Sequence, residues 1–242
     1  MPEKRTNTSP LTMIDLFAGC GGLSLGFEQA GFETLLVNEV NKNARDTYIL
    51  NRPKGSYEVS EDIYDLSNQQ IRQYLKNWKK QGVDNVDVVC GGPPCQGYSG
   101  IGHRRSFSIT KEDIPSNHLY EEMARVVKVV KPKVFLFENV KGLLSGRWTP
   151  EGTKGEIFQD VLKELSSIPN YIVEWSLVYA KDFGVPQNRP RVLVVGVRKD
   201  LHKNVPWEKF KRTDFRPKSI DEKAQSEGML PIGDAKPPTV PE

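Results

Sequence analysis

Met13-Ile14-Asp15-Leu16-Phe17-Ala18-Gly19-Cys20-Gly21-Gly22-Leu23 passes from an apolar run through a glycine-rich turn into an apolar stretch of different period. Met13–Phe17 has the length and composition of a buried strand. Ala18-Gly19-Cys20-Gly21-Gly22 interrupts it, and Leu23–Ala30 reads as a helix with Gly31 at its C-cap. Such a turn lets a ligand approach the backbone closely. The helix N-terminus after it favours polar or negative groups.

The same alternation continues outward. Thr34–Val37 reads as a strand and Lys42–Leu50 as a helix that Asn51-Arg52-Pro53 stops. Gln69–Lys80 reads as a helix closed by Gly82, and Val86–Cys90 as a strand bounded by Gly91-Gly92-Pro93-Pro94. Leu119, Met123, Val126, Val127 and Val130 fall at helical spacing before Pro132. Val134–Phe137 is a continuous apolar strand, and Ile157, Val161, Leu162 and Leu165 mark another helix face. Tyr171–Tyr179 and Arg191–Val197 follow without a helix between them, which makes that pair a candidate for antiparallel pairing. The pattern predicts an α/β fold: a mostly parallel, twisted sheet with helices on both faces. From about Pro206 the periodicity fades and prolines recur. Residues 1–205 are therefore expected to form one domain, and 206–242 a Pro-rich linker or extension.

Composition narrows the class. The chain has 242 residues, 37% hydrophobic and 27% charged, which fits a folded globular protein. Apolar runs are too short for a membrane span, and residues 1–10 lack the apolar core of a secretory signal. Three Cys argue against a disulfide framework and for a reducing cytoplasm. The net charge of +3 is low for a self-sufficient nucleic-acid binder.

Four segments carry chemistry. Glu39 ends the second strand, where a carboxylate is placed to bind ribose hydroxyls, so the first segment suggests a nucleoside-containing ligand. A dinucleotide fingerprint would have a third glycine where Ser24 stands, which weakens a nicotinamide dehydrogenase reading. A tight turn beside an ordinary surface Glu stays open on these residues alone. In Gly91-Gly92-Pro93-Pro94-Cys95-Gln96-Gly97-Tyr98-Ser99, two prolines stiffen the backbone before a thiol at a strand's carboxyl edge. Cys20 and Cys90 instead read as small buried hydrophobes. Cys90 and Cys95 lack a nearby His or Cys to complete a metal site, so no metal is expected. In Phe135-Leu136-Phe137-Glu138-Asn139-Val140, Glu138 ends a hydrophobic strand, where partial desolvation would raise its pKa; a solvated strand-end acid stays open on these residues alone. In Gly184-Val185-Pro186-Gln187-Asn188-Arg189-Pro190-Arg191, the two arginines share one face of an extended segment, which suits phosphate or carbonyl recognition or is simply a pair of surface arginines.

In this order and spacing, the four segments resemble the cytosine-C5 DNA methyltransferase family over Met13 to about Arg198. The resemblance implies a Rossmann-like class I methyltransferase fold. It implies S-adenosyl-L-methionine as donor and S-adenosyl-L-homocysteine as product. Cys95 is the implied nucleophile that adds to cytosine C6, since C5 alone is a poor nucleophile. Glu138 would hydrogen-bond or protonate N3 and the amine edge. Asn139 would shape the Cys95 loop, Arg191 would hold O2, and Gln187 and Arg189 would support the site. The target base must leave the duplex stack. Gln96, Ser99, His103, Arg104 and Arg105 lie on or beside the Gly97–Ser108 loop, expected to close over DNA. For the donor, Phe17 would stack near the adenine. Ala18, Gly19, Cys20, Gly21, Gly22 and Leu23 would line the methionine portion. Glu39 would take the ribose, Asp62 and Ile63 the adenine, and Pro94 and Leu119 the wall. Val40 stands where the family often has a larger residue against the adenine.

The family continues beyond its Gln-x-Arg-x-Arg segment with a recognition region and two late motifs that this sequence lacks. Asp234-Ala235-Lys236-Pro237-Pro238-Thr239 resembles the entry to that region. The expectation is cytosine-C5 methylation of double-stranded DNA in a bacterial restriction-modification setting. A second polypeptide would carry the recognition region. The alternatives are a truncated chain that only binds donor or DNA, and an RNA target. The RNA relative's Cys-Phe-Thr segment is absent here.

Overall fold

Strand β1 (Leu11–Leu16) is buried at every position from Thr12 to Leu16 instead of alternating. That is the pattern of a parallel strand covered on both faces. The computed structural model describes residues 10–53, 55–94, 118–149, 151–183 and 185–204. It divides into two compact units: residues 1–91 with 126–134, and residues 92–125 with 135–242.

In the first unit the strand order is β3-β2-β1-β4 and all three pairings are parallel. The elements are α1 (Gly22–Gln29), β2 (Phe32–Asn38), α2 (Lys42–Leu50), β3 (Glu58–Ser60), α3 (Asn68–Lys80) and β4 (Val88–Gly91). Local chemistry sets the helix boundaries. Asn41 caps α2 by accepting from Ala44 N at 3.1 Å, and Ser67 caps α3 by accepting from Gln70 N at 3.2 Å. Gly31 and Gly82 lie in the left-handed region at φ 89° and 92° and close α1 and α3. Met13, Ile14, Leu16, Leu36, Val37 and Val89 form the core with Val126 and Val127 of α4 (Leu119–Val130). Lys131, at φ 55°, turns the chain out of α4 before Pro132. Asp87 fastens the strand starts: it accepts from Thr12 N at 2.7 Å and from Lys133 Nζ at 2.6 Å.

In the second unit the order is β5-β7-β6, from β5 (Val134–Val140), β6 (Tyr171–Tyr179) and β7 (Pro190–Arg198). β6 and β7 pair antiparallel from Tyr171↔Arg198 to Tyr179↔Pro190, as expected, although a 3-10 turn at Ala180–Phe183 lies between them. α5 (Glu156–Ser166) packs Phe158 edge-on to Trp175, with ring centroids 4.8 Å apart. Gly196 admits the Phe135 ring, since a Cβ there would stand 2.0 Å from Phe135 Cε1.

Several boundaries differ from the sequence reading. α1 starts and stops one residue earlier, because Gly21, at φ 89°, caps it. β4 loses Val86 and Asp87, which are buried but outside the strand, and gains Gly91. β5 runs on through Glu138 and Asn139, polar positions that end the apolar run, to Val140. On α5, Phe158 is buried where Leu162 was expected and is only half-buried. The segment expected to be Pro-rich, 206–242, lies outside the described residues. Among the described residues no helix is long and apolar enough to cross a membrane.

Candidate active site

The first unit gathers the glycine-rich turn, Glu39 and Asp62 at the carboxyl ends of β1, β2 and β3. Phe17 leaves β1 in the left-handed region at φ 56°, a conformation that non-glycine residues adopt mainly at constrained sites. Ala18 N donates to Asn38 O at 3.0 Å, which joins the ends of β1 and β2. Glu39 is buried and ties two loops together. Its Oε2 accepts from Gly19 N and its Oε1 from Asn41 N, both at 2.7 Å. Each oxygen keeps a further lone pair, so the carboxylate can still accept hydroxyl donors. Asp62 Oδ1 accepts from Tyr64 N at 3.0 Å, and Ile63 is buried. Val40 is 66% exposed. Added Cβ atoms at Gly19 and Gly22 would meet nothing within 4 Å, so open space lies beside this turn.

Behind the turn is a polar network that the sequence reading did not find. Asp15, at 0% exposure, accepts from Ser24 Oγ at 2.5 Å, and Ser24 Oγ accepts from Tyr48 Oη at 2.8 Å. Cys90 Sγ lies 3.6 Å from Asp15 Oδ1. Burial pushes the Asp15 carboxyl up to about 6, against the lowering effect of Ser24. Burial also raises the Cys90 thiol well above its usual range. Ser24, where a dinucleotide fingerprint has glycine, is thus a working member of a buried hydrogen-bond chain. Cys90 is buried as expected, but Cys20 is exposed. Flanking glycines give Cys20 no cover, which corrects its reading as a buried hydrophobe.

The second unit brings Glu138, Asn139, Arg191 and the Gly92-Pro93 segment together. Glu138 Oε1 forms an ion pair with Arg191 Nε. Burial raises the Glu138 carboxyl above its ordinary value, while Arg191, and to a smaller extent Arg189, pull it down. A Cβ on Gly92 would stand 2.9 Å from Glu138 Oε2, so glycine keeps the space beside the carboxylate clear. Asn139 is buried: Nδ2 donates to Pro93 O at 3.0 Å and Oδ1 accepts from Val140 N at 2.9 Å. Arg191 Nη1 also donates to Pro190 O at 2.8 Å. Gln187 and Arg189 are exposed and joined through the backbone, Arg189 N to Gln187 O at 3.0 Å. Pro94 and Leu119 are half-buried in this unit. Cys95, Gln96, Ser99, His103, Arg104 and Arg105 lie outside the described residues.

Arg45, Tyr48 and Arg52 were read only as parts of a helix and its stop. Their i, i+3, i+7 spacing puts them on one face, the signal that could have drawn notice.

The sequence matches the C-5 cytosine-specific DNA methylase family over residues 11–230. It is 40% identical over 190 residues to Type II methyltransferase M1.HphI of Haemophilus parahaemolyticus, across 78% of this chain and 46% of that one. It is 39% identical over 198 residues to Type II methyltransferase M.PspPI of a Psychrobacter species, across 82% and 42%. The chain spans about half the length of these relatives. Among solved structures, it resembles one described as a DNA modification methyltransferase encoded within a prophage of E. coli. That match has a TM-score of 0.64 and 32% identity, over 87% of this chain and 52% of that one. A DNMT2 variant of Spodoptera frugiperda, at TM-score 0.57 and 23% identity over 81% and 52%, shares the fold. The predicted α/β methyltransferase fold is the one found.

Proposed function

The chain belongs to the C-5 cytosine-specific DNA methylase family, and from that premise we propose that it transfers a methyl group from S-adenosylmethionine to C5 of cytosine in DNA. The observation that carries this reading is the partly buried Glu138 carboxylate, paired with Arg191 and next to Asn139. Asn139 holds the Pro93 carbonyl two residues before Cys95.

The donor, when bound, supplies an electrophilic methyl group. The residues of the first unit suit it: open space beside Gly19 and Gly22, amides of the α1 N-terminus, and a Glu39 carboxylate with accepting capacity left. Glu39 would take the ribose hydroxyls, and Asp62 and Ile63 the adenine. Phe17, with Ala18 to Leu23, would form the floor. Val40, Pro94 and Leu119 would complete the wall.

The Cys95 thiolate would add to C6 of a flipped-out cytosine, forming the S–C6 bond and moving the electron pair toward C5. Glu138, with its raised pKa, would donate a proton or hydrogen bond at N3 as charge develops there. Arg191 would hold Glu138 in place and reach O2, with Gln187 and Arg189 supporting it. C5 then takes the methyl group. A base removes the C5 proton, the S–C6 bond breaks as thiolate leaves, and N3 returns any proton it took to Glu138, which restores the ring. Gln96, Ser99, His103, Arg104 and Arg105 would meet the DNA, cations to phosphates.

The relatives are named Type II methyltransferases, which supports a place in restriction-modification and a bacterial cytoplasmic setting. Residues 1–205 would serve as the catalytic domain and 206–242 as the approach to a recognition region. The proposed partners are double-stranded DNA and a second polypeptide carrying what the relatives' remaining length supplies.

The test supplies methyl-labelled donor and mixed-sequence duplex DNA to the chain, alone and with such a polypeptide, and digests the DNA to nucleosides. Label in 5-methylcytosine supports the proposal. Label only in another nucleoside, or none in either arm, refutes it.

A further inference from the structure

Arg45, Tyr48 and Arg52 share the inward face of α2 and its exit turn, where Arg52 N donates to Ile49 O at 3.0 Å past the C-cap Asn51. Arg45 serves the β2–α2 loop through Glu39 O and Val40 O, at 2.8 and 3.2 Å. Arg52 reaches the opposite way, to the glycine-rich turn. Its Nη2 donates to Gly21 O at 3.0 Å, and its Nε donates to Glu28 Oε1 and Oε2 at 2.7 and 3.0 Å. The guanidinium lies 4.0 Å over the Tyr48 ring centroid, and the side chain is 12% exposed.

Gly21 is where α1 begins. Its carbonyl also accepts the first helical bond, from Leu25 N at 3.0 Å, and its N–H donates to Ala18 O at 2.9 Å. It sits at φ 89°, and a Cβ there would stand 2.6 Å from Arg52 Nη1 and from the Tyr48 ring. Two elements therefore meet with no room for a side chain. One of them is a glycine-rich turn with broad conformational freedom of its own. A planar fork that bridges a carboxylate and a carbonyl while stacking on a ring fixes that turn in a way an ammonium cannot.

We propose that Arg52 is a positioning residue, holding the Gly21 peptide and the Phe17–Leu23 turn in the conformation that takes the methyl donor. This rests on the donor reading above. Glu28 acts through Arg52 by holding the other side of the guanidinium, and Tyr48 continues the brace to Ser24 and Asp15.

The test uses the whole chain with R52Q, R52K, E28Q and E28Q/R52Q. S-adenosylmethionine binding is measured by calorimetry, and amide hydrogen exchange is measured without donor. R52Q should weaken donor binding about tenfold, R52K should recover part of it, and E28Q should weaken it less. The double variant should bind as R52Q does, because the two residues form one unit. Exchange should rise at residues 17–25 and remain unchanged in the second unit. Donor binding by R52Q within twofold of the unsubstituted chain, fully multiplying effects of E28Q and R52Q, or an exchange rise spread evenly over the chain would each overturn the proposal. Exchange is read without donor, so an unsubstituted chain that binds no S-adenosylmethionine refutes the donor reading, while exchange still judges the hold of Arg52 on the turn.

Discussion

Asn139 Nδ2 donates to Pro93 O at 3.0 Å, tying the end of β5 to the residue that precedes Pro94-Cys95. Both groups are buried, so neither can turn to water if the other is removed. Asn139→Ala would leave the Pro93 carbonyl unsatisfied at a cost of about 1–3 kcal/mol. Asn139→Asp would not repair it, since a carboxylate cannot donate to a carbonyl. Both variants should lower the urea midpoint and slow methyl transfer with little change in donor affinity. Transfer at the unsubstituted rate by Asn139→Asp would show that this anchor is dispensable.

The Glu138–Arg191 pair has a titration signature. Burial raises the Glu138 pKa and Arg191 lowers it, so Arg191→Gln should raise it further. If protonated Glu138 is the active form, transfer falls as pH rises through this value. The alkaline fall should then move to higher pH in Arg191→Gln, on a rate reduced about a hundredfold. A carbon-13 titration of the Glu138 carboxyl checks the direction. A value below 4.5 in the unsubstituted chain, or a drop in the variant, contradicts the assignment.

Asp15 makes stability depend on pH. Its folded pKa of about 6 exceeds the ordinary 3.8, so between those values the folded chain holds a proton that the unfolded chain has lost. The stabilisation is complete below 3.8 and declines as pH rises through about 6, a total of roughly 3 kcal/mol. Asp15→Asn removes this titration. The stability difference between the two proteins should shift in the variant's favour as pH rises from 4 to 7. A constant difference in urea titrations would exclude a raised Asp15 pKa.

Gly21→Ala places a Cβ at φ 89° and 2.6 Å from Arg52 and Tyr48. Left-handed backbone alone costs an alanine about 1–2 kcal/mol, and the clash adds to it. The melting temperature should fall by several degrees. Gly22→Ala, whose Cβ meets nothing within 4 Å, should fold nearly as well. Equal stability of the two variants would contradict the close packing behind the turn.

These positions also show what the sequence displays and what it hides. α2 was legible to the residue, because Asn41 caps it and Asn51-Arg52-Pro53 ends it. β6 was legible because its residues are strand formers in an unbroken run from Tyr171 to Tyr179. Glu138 stood out as a carboxylate closing an apolar run. The Asp15–Ser24–Tyr48 chain was hidden, since its members are distant in sequence and Ser24 reads as a missing glycine. Arg52 was hidden behind the proline that follows it, as a stop signal and not as a side chain turned back onto Gly21. Cys20 was misread because residue type suggests burial, whereas exposure depends on how the turn faces.

The central claim is that cytosine C5 is activated by attack of Cys95 on C6. A duplex carrying 5-fluorocytosine at the target tests this most directly, because fluorine at C5 cannot leave as a proton and the S–C6 bond should persist. The complex is formed with donor present, together with the proposed second polypeptide, and is weighed after denaturation. The account predicts a species with the mass of this chain plus the DNA strand plus one methyl group, absent in Cys95→Ser and without donor giving no methylated adduct. Methyl transfer to ordinary duplex with no such adduct, or an adduct that persists in Cys95→Ser, would contradict it.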